Sequence, residues 1–146
     1  MSYILTFNTF CKGGTEMGVW IRIAELLLGI IFLGAGINGY VVLLGFEAFA
    51  PTSLAAMEFL GSGYFLALEK GVEIIAGILL LIRRFVPLAL IVLASIIVNI
   101  LAFHVFVDSD LLVLALLVTI LEGILIWYYR DNFKALLESK PKITNN

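Results

Sequence analysis

Apolar residues gather in four long runs, Ile21 to Leu44, Tyr64 to Ile82, Pro87 to Val107 and Leu111 to Tyr129, which together take up most of the chain. None alternates apolar and polar with period two, so none reads as a barrel strand. A helix rises ~1.5 Å per residue, so about 20 apolar residues cover a hydrocarbon core of ~30 Å, and each run meets that length. In lipid every backbone amide must be satisfied within its own segment, which a helix does. The pattern predicts an all-α polytopic membrane protein, an antiparallel four-transmembrane-helix bundle over residues 21–130. Residues 1–20 read as a retained cytoplasmic or interfacial segment, and residues 131–146 as a cytoplasmic, partly disordered tail with Pro141 and few apolar positions.

The breaks between runs carry the topology. Lys12 precedes the first run and Arg22 stands at its very start, Arg83 and Arg84 part the second from the third, and Arg130, Lys134, Lys140 and Lys142 follow the fourth. The other two connections hold Glu47 and Glu58, then Asp108 and Asp110; Lys70 is the single basic exception. The positive-inside rule then places both termini and the Arg83-Arg84 turn in the cytoplasm of a cell membrane. The second and third connections are short, so the last three helices are consecutive antiparallel neighbours. The first is longer, from Gly45 to Gly63, and with Phe46, Phe49, Met57, Phe59 and Leu60 it reads as an interfacial or lid-like segment on the outer face.

Composition agrees: 62% of the 146 residues are hydrophobic and 14% charged, with a mean hydropathy of +1.13. The net charge of -2 offers no basic face for nucleic acid. Cys11 is the only cysteine, which leaves no intrachain disulfide or CxxC chemistry. Gly63, Ala67 and Gly71 in the second run and Ala35 and Gly39 in the first recur at i+4, the spacing of close helix contacts in lipid. Trp20, Trp127, Tyr128 and Tyr129 read as an aromatic belt at the cytoplasmic boundary, and Arg22 with Glu25 as an interfacial ion pair.

Against this apolar background the buried polar residues are the candidates for chemistry. By helical rise Glu73 lies ~15 Å above Arg83, Asn99 ~18 Å above Pro87 and Glu122 ~12 Å above Arg130, all near mid-membrane. Glu69, Asn38 and His104 lie further out. Glu69 and Glu73 share a helix face, as do His104 and Asp108, so the spacing predicts an outward-opening pocket of Glu69, Glu73, Asn99, His104 and Asn38, with Glu69 meeting His104. Such a set could hold a polar head group such as a quinone carbonyl, or relay protons to it. The same groups could equally satisfy one another as interhelical hydrogen bonds. One histidine among scattered carboxylates does not make a metal site. Glu122 stands alone among Leu, Ile and Val, as an intramembrane proton site or a buried structural carboxyl.

Two stretches, "RIAELLLGIIFLGAGINGY" (Arg22 to Tyr40) and "EKGVEIIAGILLLIRRFVPLALIVLASIIVNILAFH" (Glu69 to His104), resemble the DoxX-like family of small four-helix membrane proteins. The match rests on Glu73 with Gly77, the Arg83-Arg84 turn, the proline opening the third helix, and His104. The resemblance covers about residues 20 to 130 and implies a quinone-interacting or redox-associated membrane subunit, with no covalent cofactor and with electrons supplied by a soluble or membrane oxidoreductase partner. Glu73 and His104 are the positions to which a family site transfers. Two other classes stay open: a small-molecule or proton-coupled transporter acting as a homodimer through Glu73 and Glu122, and a noncatalytic assembly or chaperone protein docking a client on the 45–63 loop.

Overall fold

The computed structural model describes residues 2–61 and 63–134, with side chains from residue 17 onward. The described residues are helical, with no strand: α1 (Ser2–Leu43), α2 (Leu54–Leu60), α3 (Tyr64–Leu81), α4 (Val86–Phe106), α5 (Leu112–Tyr128) and α6 (Arg130–Phe133). The four apolar runs become α1, α3, α4 and α5 within a residue or two at most ends. The exception is α1, whose helix starts well upstream of Ile21. The 45–63 connection contains a short helix of its own, α2, capped by Ser53, whose Oγ accepts from the Ala56 amide at 3.0 Å. The expectation of a partly disordered tail falls mostly on 135–146, outside the described residues.

The long helices contact one another in a ring, α1 on α3, α3 on α4, α4 on α5, and α5 back on α1. The α1–α3 contact is the most extensive. It runs antiparallel, since Arg22 midway along α1 bonds the Leu80 and Leu81 carbonyls while Tyr40 near its C-terminal end bonds Ala67 O at 2.8 Å. Glycines set its closeness. A Cβ on Gly77 would lie 2.8 Å from Leu33 N and 2.9 Å from Gly29 O, and one on Gly36 would lie 2.9 Å from Lys70 O, so backbone meets backbone. The expected stripe is corrected here: Gly39 packs on α3, but Gly63 has nothing within 4 Å and Gly71 meets only the Tyr40 hydroxyl. The chain register brings Gly29, Gly36 and Gly77 to the seam instead, and Ala35 turns toward the interior space between the helices.

At the basic end one carboxylate ties three elements. Glu25 is fully buried, its Oε2 3.1 Å from Arg22 Nη1 and 3.0 Å from Arg83 Nε, while its Oε1 accepts from the Tyr129 hydroxyl. Arg22 also donates to Leu81 O at 2.8 Å, capping the carbonyls at the end of α3. Arg22 and Glu25 therefore do more than pair locally, and Tyr129 is corrected from a belt residue to a ligand of this node, because its position on α5 turns it inward. Trp20 and Trp127 remain exposed. In the same turn Arg83 and Phe85 lie in the left-handed region, φ 56° and 55°, a strain of about 1 kcal/mol or more per residue.

Two helical stretches, Met17–Leu43 and Val86–Phe106, are long and apolar enough to cross a membrane. The other two runs do not pass the same measure: α3 carries Glu69, Lys70 and Glu73, and α5 has 17 residues. Large apolar side chains are exposed on all four long helices, among them Leu27, Leu68, Ile75, Val98, Val113 and Ile120. The buried core, built on Leu28, Phe32, Leu80, Leu90, Leu93 and Leu125, lies toward the basic end. Gly77→Val should therefore lower stability by about 1–3 kcal/mol, because the backbone it meets cannot yield. Gly123→Ala, with nothing within 4 Å, should be neutral; thermal unfolding in detergent measures both. Glu25→Ala should destabilise by about 2 kcal/mol, leaving two arginines and a tyrosine without their acceptor, whereas Lys134→Ala, which removes an exposed pair with Asp131, should change little.

Candidate functional site

Away from the basic end the bundle is hollow. On α1 the inward positions change from Leu28 and Phe32 to Gly34, Ala35, Asn38 and Gly39, and on α5 from Leu125 to Val118 and Ala115. Smaller side chains cannot fill the space, and a cavity of about 330 Å³ remains between α1, α3, α4 and α5. Its walls are largely apolar, with Phe32, Phe49, Phe59 and Phe103 among them, and residues 49–60 close its far end. The five residues expected to form a pocket, Asn38, Glu69, Glu73, Asn99 and His104, all line it, together with Lys70.

Helix α3 supplies a charged cluster. Lys70 Nζ lies 2.8 Å from Glu73 Oε1 and 3.6 Å from Glu69 Oε1. The lysine is held there by α1, because Gly39 leaves room for its stem: a Cβ on Gly39 would fall 2.5 Å from Lys70 Cγ and 2.6 Å from Cδ. Two carboxyl groups share one ammonium, and the outer oxygens, Glu69 Oε2 and Glu73 Oε2, are buried with no hydrogen-bond partner among the described residues. Those oxygens need donors that the described protein groups do not provide. Sequence reasoning left Lys70 out as a topological exception; its i,i+3 spacing to Glu73 was the signal that could have included it.

The other polar groups are partly consumed by structure. Asn38 Oδ1 accepts from the Phe49 amide at 2.9 Å and the Ala50 amide at 3.2 Å, and its Nδ2 donates to Thr52 Oγ1 at 2.8 Å. It is thus a staple for the segment over the cavity, a role the linear sequence gave no means of separating from ligand binding. Ser53 Oγ donates to the Asp108 carboxylate, fastening the same segment to the α4–α5 turn. Phe59 stacks on Phe103 with 5.7 Å between ring centroids. His104 Nδ1 is 2.7 Å from the Asp108 carbonyl oxygen, which can only accept, so Nδ1 carries the proton. The other ring nitrogen, Nε2, has no protein hydrogen bond among the described residues and is free to accept in a neutral ring.

The expected Glu69–His104 pair does not form: Glu69 turns to Lys70, and His104 is held by the main chain of Asp108. Asn99 lines the cavity while remaining exposed, with no side-chain hydrogen bond among the described residues. Glu122 stands apart from the cavity. It is 3% exposed on the inward face of α5, between Val118 and Leu125, and neither carboxyl oxygen has a partner among the described residues. No group of three or more His, Cys, Asp or Glu is placed to hold a metal ion among those residues.

The Ser53 hydroxyl, the Asp110 amide and then nearby His104 hold the Asp108 carboxyl below its ordinary range. A carboxylate with a lowered folded-state pKa adds stability above its unfolded value of about 3.9 and loses that contribution as pH falls through the folded value. Acidification below about pH 4 should therefore loosen residues 49–60, seen as lower hydrogen-exchange protection of the Phe49 and Ala50 amides relative to their intrinsic rates. In Asp108→Asn that protection should no longer step in this pH range.

Comparison with protein-family models, with curated proteins and with solved structures finds no match to this chain.

Proposed function

We propose that this chain is a multi-pass membrane protein of the DoxX-like kind whose cavity binds the head group of a lipophilic quinone, working beside a redox partner protein. The observation that carries this reading is the pair of unpartnered, buried carboxylate oxygens, Glu69 Oε2 and Glu73 Oε2, in the wall of a mostly apolar cavity. A flat ring bearing hydroxyl groups in its reduced state and carbonyls in its oxidised state matches both kinds of group present. The carboxylates accept from hydroxyls, and Lys70 Nζ and the Asn99 amide donate to carbonyls. His104, with Nδ1–H fixed on Asp108, offers Nε2 to take up or return a proton.

Apolar side chains exposed on every long helix support placing all four in lipid. The basic end, with Arg22, Arg83, Arg84 and Arg130, then faces the cytoplasm together with both termini, and the cavity lies in the outer half. When bound, the quinone supplies two-electron chemistry; the partner oxidoreductase supplies or removes the electrons, and the residues of this chain orient the ring and hold protons.

Titration of a benzoquinone and its reduced form into protein in lipid nanodiscs tests the assignment. Glu73→Gln should weaken the reduced form by about ten- to a hundredfold, the worth of a hydrogen bond to a charged acceptor, ~1.5–3 kcal/mol. His104→Ala should weaken both forms, and Glu122→Gln, outside the cavity, should leave binding unchanged. Equal affinity across wild type, Glu73→Gln and His104→Ala would remove the cavity from consideration.

A further inference from the structure

Resting on the head-group assignment, we infer that the ligand is an amphiphile reaching the cavity sideways from the bilayer, its apolar tail lying in a gap on the α1–α5 side between Ile30 and Leu114. Three observations lead there. The cavity, about 330 Å³, is at the small end of sites for drug-sized molecules, ~300–1,000 Å³, so it holds a substituted ring and leaves a long tail outside. The far end is not an open route for that tail. Residues 49–60 cover it, fixed by three hydrogen bonds to Asn38, by Ser53 on Asp108, and by Phe59 on Phe103. Phe49 and Phe59 of that cover line the cavity while exposed, but their segment is pinned by these contacts. On the side, Ile30 on α1 and Leu114 on α5 also line the cavity and are 59% and 39% exposed, so the cavity wall is continuous there with the apolar exterior, with no such fastening between the two residues.

The geometry of the α1–α5 pair explains the gap. Tyr129 on Glu25 draws the two helices together at the basic end, and Leu28 and Leu125 fill the core there. Further along, Gly34 and Ala35 on α1 and Ala115 on α5 leave the seam without bulk. Asn99 on α4 also lines the cavity while exposed, but its unpaired amide is a poor neighbour for hydrocarbon and a good one for a ring substituent. The rim at Ile30 and Leu114 is apolar throughout, and that chemistry suits an alkyl or isoprenoid tail.

The test compares a benzoquinone head group without a side chain and the same head group bearing a decyl chain, each titrated in nanodiscs as mole fraction in lipid. Wild type should bind both compounds. Ile30→Trp and Leu114→Trp should each cost the decyl compound about tenfold, because an indole at the rim takes the space the chain needs and the packed helices do not yield freely, while leaving the tailless head group unchanged. Ile30→Ala, which keeps the gap open, should retain both affinities. Unchanged decyl affinity in both Ile30→Trp and Leu114→Trp, or a loss in Asn99→Trp with none in the Ile30 and Leu114 variants, would overturn the α1–α5 route while leaving the head-group assignment standing. Failure of wild type to bind either compound would overturn both.

Discussion

The close approach of α1 and α3 is the constraint on which the rest depends. With Gly29 and Gly36 facing Gly77 and the backbone around Lys70, the two helices touch main chain to main chain, and no larger side chain could stand at those positions without pushing them apart. The contact fixes depth as well as distance. It sets Gly39 against the Lys70 stem, and Lys70 in turn holds Glu73 and stands near Glu69. Widening the seam would release the lysine, and two buried carboxyl groups would be left without a counter-charge.

The two ends of the molecule solve opposite problems. At the basic end, bulky leucines and the Glu25 node make a filled, cross-tied plug, with Arg22, Arg83 and Tyr129 drawing α1, the α3–α4 turn and α5 onto one carboxylate. At the far end the inward residues are small, and the space they leave is bounded by groups that bond loops more than one another. Asn38 and Asp108 spend their polarity on residues 49–53, while Glu69 Oε2, Glu73 Oε2 and His104 Nε2 are left without partners among the described residues. A rigid base and a capped hollow suit a binding site, since preorganised polar groups lose little on receiving a ligand.

Glu122 is buried on α5 with neither carboxyl oxygen bonded among the described residues. It lies one turn beyond Val118, a cavity-lining residue, on the way toward Tyr129 on the same face of α5. An unpartnered carboxyl costs least in its neutral form.

The sequence by itself determined the helices and the inventory of polar groups. Long unbroken hydrophobic runs without period-two alternation read as helices, and the position of each polar residue along its helix follows from rise per residue. For that reason Asn38, Glu69, Glu73, Asn99 and His104 could be assigned to one region before any packing was known. Pairing was beyond its reach. Spacing along a helix says which side chains share a face but not how two helices rotate against each other, so Glu69 was matched with His104 when Lys70 was closer, and Gly63 was placed at a seam that Gly29, Gly36 and Gly77 make. Asn38 as a staple, Tyr129 on Glu25 and the meeting of Ile30 and Leu114 at one cavity all depend on contacts between elements far apart in the chain. Only the tertiary structure decided those, because helix rotation and register are set by the fit of whole faces and not by any local pattern.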